Sequence, residues 1–141
     1  MPAEAYGFRP MPEMRTFAGD IGHLVMANLN QCGNLLGKRH ALAGQDLSTS
    51  LVTRDESLKA LADSFAFCDE YFTQLKEDAQ LTGTFYDVSI TREGQRVPMR
   101  VAHGAMVTSF LAHNNEMYGY MAVYLRLKGI VPPSSERAPR R

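Results

Sequence analysis

The residues of this 141-residue chain best suited to metal or acid–base chemistry are its four histidines, His23, His40, His103 and His113. His23 and His113 fall in the middle of two separate helical patterns, each on or beside an apolar sector, so neighbouring helices could bring the two rings together. Bundle interiors build metal sites in this way, from side chains on facing helices, and neutral imidazole suits zinc, nickel or iron. A catalytic zinc normally takes three protein ligands and keeps one position open. Two imidazoles therefore ask for a third donor. One turn beyond His113 stands Met117, a soft and neutral thioether that suits zinc poorly; Glu116 and Asn114 are nearby but less well placed. On residue types alone, two half-buried histidines are more simply hydrogen-bonded core residues than ligands. His40 lies in a polar connection and reads as a surface residue. His103 precedes His113 by about three turns, too far along a straight helix to share an ion with it, and reads as a surface or capping residue.

The elements that must position these groups follow from periodicity. The stretch Met99 to Gly129 carries Met106, Phe110, Met117, Met121, Tyr124 and Leu125 at steps of largely three and four, the signature of a helix with one buried stripe. Gly129 can end it in the left-handed conformation, and Pro132 and Pro133 prevent continuation. An earlier helix is expected over Phe17 to Leu36, capped by Thr16, with Phe17, Ile21, Leu24, Val25, Asn28 and Leu29 on its inner side. Between them, Thr53 followed by Glu56 forms a capping box, opening a helix that carries Leu58, Leu61, Phe65, Cys68 and Phe72 to about Lys76. Residues 1–14 hold three prolines and read as an extended lead-in; residues 130–141 read as a C-terminal tail. The segment Gly83 to Met99 breaks the helical pattern and fits a short hairpin or an irregular crossover, with Pro98 against a central strand. The whole, 1–141, reads as one all-α domain of three long helices whose apolar sectors are wide enough for a fourth.

Composition narrows the classes further. Fifteen basic residues balance fifteen acidic ones, which gives no electrostatic reason to expect nucleic acid or an acidic membrane as partner. Arg137, Arg140 and Arg141 read as a solvated terminus. No run reaches the length of a membrane span, and the first ten residues do not resemble a signal peptide; a cytoplasmic protein is the expectation. Cys32 and Cys68 match no thiolate metal motif or redox pair. They are expected to be reduced core cysteines, with a disulfide or reactive thiol as the alternative. No dinucleotide or phosphate-cradling fingerprint occurs; the glycine spacing of GDIGHL is wrong for one.

The segments YGFRPMPEMRTF (Tyr6 to Phe17), RTFAGDIGHLVMANLNQC (Arg15 to Cys32) and AHNNEMYGYMAVYLRLKGIVPPSS (Ala112 to Ser135) together resemble the DinB-like (DinB/YfiT) family of four-helix-bundle metalloenzymes. The resemblance implies an up-down-down-up bundle and a divalent metal, zinc or nickel, held by three histidines. His23 matches the first, His113 matches the second, and the third falls on Met117, so HNNEM stands where the family has a closing histidine. It also implies a first helix before the lead-in, which this chain lacks or another chain supplies, and a homodimer. The function implied is thiol transfer or hydrolysis on a small molecule of unknown identity, with Glu116 as the residue that orients a ligand or moves a proton. Weak or absent metal binding is expected from Met117. The competing expectation is a non-enzymatic bundle that binds a small apolar ligand or a partner helix.

Overall fold

The computed structural model describes residues 1–136; the expectation for Arg137, Arg140 and Arg141 lies outside them. Three long helices dominate: α1 (Phe17–Leu36), α3 (Arg54–Gln74) and α5 (His103–Leu127). Short helices α2 (Leu47–Ser50) and α4 (Ala79–Gly83) and a hairpin of β1 (Phe85–Arg92) and β2 (Gln95–Ala102) fill the connections. Both N-terminal signals act as read from sequence. Thr16 Oγ1 accepts from the Gly19 amide at 3.0 Å. Thr53 and Glu56 cap each other reciprocally, which satisfies donors that the first turn of a helix leaves orphaned.

The helix directions follow from which residues meet. Asn28 meets Ser64 and Cys32 meets Cys68, so α1 and α3 run parallel. His23 meets His113 and Asn28 meets Asn114, while the numbering advances along α1 and retreats along α5 from the histidines to the hairpin end. The order is therefore down, down, up. Parallel neighbours need a connection that travels back along the full helix, which explains the long segment between α1 and α3. Its helix α2 lies so close on α1 that a Cβ at Gly22 would sit 2.0 Å from the Leu47 carbonyl oxygen. Gly22 is therefore a packing requirement, immediately before His23. The core gathers Ile21, Val25, Leu29, Phe67, Phe110 and Tyr124, joined by Tyr6 and Phe17 from the lead-in and the α1 start.

Four expectations are corrected. The domain is not wholly α-helical, because residues 85–102 pair as an antiparallel hairpin. Glu93 and Gly94 both take positive φ, 52° and 78°, as a two-residue turn matched to strand twist requires. Pro98 is accommodated because a two-stranded ribbon has only edges. The last helix begins at His103 rather than Met99, since strand pairing claims residues up to Ala102 and the His103 amide donates to Thr84 O at 3.0 Å. The lead-in is not simply extended: it contains a single 3-10 turn, Ala3–Ala5, and buries Tyr6 against Phe17. The cysteines are not reduced. Cys32 and Cys68 form a disulfide between α1 and α3, both sealed in the core; facing stripes of parallel helices place them at matching heights. No fourth long helix occurs among the described residues, and Leu58, Phe65 and Leu111 stay exposed. None of the described helices is long and apolar enough to cross a membrane.

The cystine closes a loop of 36 residues in sequence separation, for which the chain-entropy relation gives roughly 3–4 kcal/mol. The Cys32→Ser/Cys68→Ser double variant is expected to lose stability of about that size in urea unfolding. The same loss should follow full reduction of the wild-type protein.

Candidate metal and ligand site

His23, Ala27, Asn30 and Asn34 are spaced by four, three and four along α1, which places them on one line of its surface. Met106, Ser109, His113, Glu116 and Tyr120 do the same along α5. These two lines flank the seam between the helices, and His23, Ala27, Asn30, Gln31, Ser109, His113 and Glu116 line a cavity of about 430 Å³ there. Within it the His23 and His113 rings lie edge to face, with centroids 5.3 Å apart and planes at 80°.

Each neighbour of His113 has a definable role. Its Nδ1 is 3.3 Å from Glu116 Oε2, and since a carboxylate only accepts, Nδ1 carries the proton in that contact. Nε2 is then the nitrogen with a free lone pair, and it is buried with no hydrogen-bond partner. Tyr120 donates to the other Glu116 oxygen at 3.1 Å, so the carboxylate is held from two sides. A carboxylate fixing the far nitrogen of an imidazole is the usual way a ligand histidine is oriented. Gln31 Oε1 is the second buried atom without a partner. Orphaned buried acceptors of this kind cost about 1–3 kcal/mol each.

The electrostatics of His23 are set by enclosure. Burial, then the charges of Arg15 and His113, lower its pKa, with Asp20 and Glu116 pulling the other way. Asp20, one turn earlier, has its carboxyl raised by burial, opposed by the Tyr124 hydroxyl and Arg15. Tyr124 is pushed up to about 12, first by burial and then by Asp20.

Asn28 and Asn114, the first read from sequence as an inner-face residue and the second as a less well placed donor, join the helices that carry the pair. Asn114 Nδ2 donates to Asn28 Oδ1 at 2.9 Å and to Phe110 O at 2.8 Å, and Asn28 Nδ2 reaches Ser64 Oγ at 3.4 Å. This relay ties α5 to α1 to α3 beside the histidines, and Asn28 has no exposed surface. The one sequence signal for it was a carboxamide on an otherwise apolar stripe. Met117 is 2% exposed, below His113 on the stripe that also carries Phe110 and Tyr124. His103 is neither a surface nor a capping residue: it is buried, with Nδ1 3.1 Å from the Tyr71 hydroxyl, because the hairpin and α3 close over the start of α5. His40 is half-buried in a turn, accepting from the Leu42 amide at 3.2 Å and lying against Phe67.

The family model described as the DinB superfamily matches residues 1–116, and the chain belongs to that superfamily. The match spans both pocket histidines and Glu116. No curated protein and no solved structure matches the chain significantly. Among the described residues, no group of three or more His, Cys, Asp and Glu side chains is placed to hold a metal ion. His23 and His113 are the two imidazoles that share the pocket. With nitrogen–zinc distances of about 2.0–2.1 Å, two imidazoles on one tetrahedral ion have ring centres roughly 5 Å apart, close to the separation found. Met117, one turn from His113, is buried and is not among the residues that line the pocket.

Two measurements follow. Asn28→Ala is expected to cost about 1–3 kcal/mol in denaturant unfolding, because the Asn114 and Ser64 groups lose a buried partner. The lowered pKa of His23 means the native state resists protonation relative to the unfolded chain, whose value is 6.5. Its contribution is complete above that pH and is lost as pH falls from there toward the lowered native value. Asp20 acts with the opposite sign, its contribution being lost as pH rises from 3.8 through its raised native value. His23→Gln should therefore flatten the fall in melting temperature between about pH 7 and pH 5.5.

Proposed function

We propose that this bundle binds a divalent ion, zinc or nickel, weakly through His23 and His113, and acts on a small molecule in the α1–α5 pocket by thiol transfer or hydrolysis. The observation that carries this reading is the pairing of the two rings at 5.3 Å together with the buried, unpartnered Nε2 of His113. When bound, the ion supplies Lewis acidity toward a substrate atom at its open positions. The protein's own part is separate. Glu116 fixes the His113 tautomer and can exchange the Nδ1 proton, Tyr120 restrains Glu116, and the Asn28–Asn114 bond sets the distance between the helices that carry the two rings. Met117 occupies the position below His113 and accounts for the weakness, since a thioether is a soft and neutral donor. A homodimer covering the exposed Leu58, Phe65 and Leu111 belongs to the same reading.

The absence of a third hard donor among the described residues favours one alternative, a non-enzymatic bundle whose pocket holds a small apolar ligand or a partner helix. Metal analysis separates the two. After purification without chelator and titration with nickel or zinc, the wild-type protein is expected to take up one ion per pocket weakly, and His113→Ala none. Met117→His, which restores an imidazole one turn from His113, should tighten binding by at least about tenfold. No uptake by either the wild type or Met117→His would leave the non-enzymatic bundle standing.

A further inference from the structure

The hairpin has two open edges, and they are not alike. Its two-residue turn makes Arg92 and Gln95 a hydrogen-bonded pair. The same alternation is kept at the other end, where the His103 amide donates to Thr84 O. Along β1, Phe85, Asp87, Ser89 and Thr91 therefore aim their amides and carbonyls away from β2. Among the described residues, none of these groups pairs with another backbone group. The corresponding positions on β2 are Arg96, Pro98 and Arg100. A proline between two cationic side chains is one of the ways a sheet edge is kept from pairing. The β1 edge has no such guard, and its Phe, Tyr, Val, Ile and Thr residues are good strand formers.

The unguarded edge borders a cleft. A cavity of about 710 Å³ beside the histidine pocket is lined by the consecutive residues Tyr86, Asp87, Val88 and Ser89. Side chains alternate between the two faces of a strand, so four residues in a row meet the cavity along the edge of β1. The α1 wall of the same cavity carries Asn30 and Asn34, one helical turn apart. Neither carboxamide has a hydrogen-bond partner among the described residues. Asp87 and Arg96 give the lining one charge of each sign, so charge does not choose the occupant. What the main-chain edge and the two carboxamides can both bond is an extended peptide backbone. Met99, Val101 and Met106 add apolar surface, which suits alternate aliphatic side chains of such a segment. A strand of four residues, spaced from its neighbours as in a sheet, takes about 650 Å³, and the cavity can hold it. A second copy of the hairpin would bring two strands and about twice that volume. We infer that the cleft binds an extended peptide segment of about four residues, which adds to β1 as a third strand and turns its other edge toward Asn30 and Asn34. This goes beyond the function proposed above and does not depend on a metal.

Titration of the isotope-labelled protein with the capped peptide acetyl-Val-Thr-Val-Thr-amide, followed by amide NMR and calorimetry, tests the inference. At saturation the peptide is expected to shift the Asp87 and Ser89 amides and slow their hydrogen exchange by at least about tenfold, with Arg96 and Arg100 unchanged. The same peptide N-methylated at every residue keeps the side chains but lacks donors, and should bind at least about tenfold more weakly. Ser89→Pro removes an outward amide and leaves the β1–β2 bonds in place, so it should weaken the unmethylated peptide by at least about tenfold. Arg100→Pro, on the β2 edge, should not. Melting temperatures show whether both variants stay folded, and the wild-type exchange data decide if Ser89→Pro does not. No peptide binding at millimolar concentration, equal affinity for the methylated peptide, unprotected Asp87 and Ser89 amides, or full affinity in folded Ser89→Pro would each overturn the inference. A wild-type dimer that Ser89→Pro dissociates, without peptide binding, would overturn it in favour of a second copy at this edge. His113→Ala is expected to keep peptide binding. Peptide binding without metal uptake therefore counts against the metal reading alone, and metal uptake without peptide binding counts against this inference alone.

Discussion

The contact on which the arrangement turns is the carboxamide pair Asn28–Asn114. It is a side-chain bond of 2.9 Å between helices separated by 86 positions in sequence, and its inner member is fully enclosed. Apolar side chains along a helix can slide past one another by a turn with little loss, because burial is non-directional. A buried amide cannot, since a one-turn slip leaves its donor and acceptor unpaired in a medium that punishes this. Asn28 therefore fixes the height of α5 against α1, and through Ser64 the height of α3 against both. The ring pair is a consequence of that register: His113 precedes Asn114 by one residue, and His23 lies a turn and a half before Asn28.

Helical spacing alone brings Glu116 to His113 and Tyr120 to Glu116. Steps of three and four along α5 make a chain of His113, Glu116 and Tyr120 on the flank of the helix, while Phe110, Met117 and Tyr124 recur every seven residues on its buried centre line. Met117 thus belongs to the core stripe rather than to the pocket lining. An imidazole there would need both a ligand and a polar partner, whereas a thioether fills the space with neither.

Local signals were legible wherever the physics is local. The Thr16 and Thr53 caps, the extent of Phe17 to Leu36, and the left-handed end at Gly129 depend on neighbours within a few residues, and the structure has them where the sequence placed them. The start of α5 was misplaced because Met99, Ala102 and Met106 satisfy a helical step, while Val97, Met99 and Val101 satisfy a strand step equally well; only the partner strand β1 decides between them. The disulfide and the burial of His103 depend on residues more than thirty positions away, and no spacing rule reaches that far. The meeting of His23 and His113 was anticipated as an option open to any pair of adjacent helices, with the family resemblance favouring it. The amide relay that enforces it gave only the hint of a polar residue on an apolar stripe.

The covalent bond between Cys32 and Cys68 divides the bundle mechanically. The helix bearing His23 is bolted to α3, so those two move as one block. The helix bearing His113 is joined to that block through noncovalent contacts and the chain connections alone. The α1–α5 seam, where the two imidazoles face each other, is therefore held by noncovalent contacts such as Asn28–Asn114 and Tyr124–Arg15 O. The width of the gap between the rings is thus set by side-chain contacts on one side and by a covalent bond on the other.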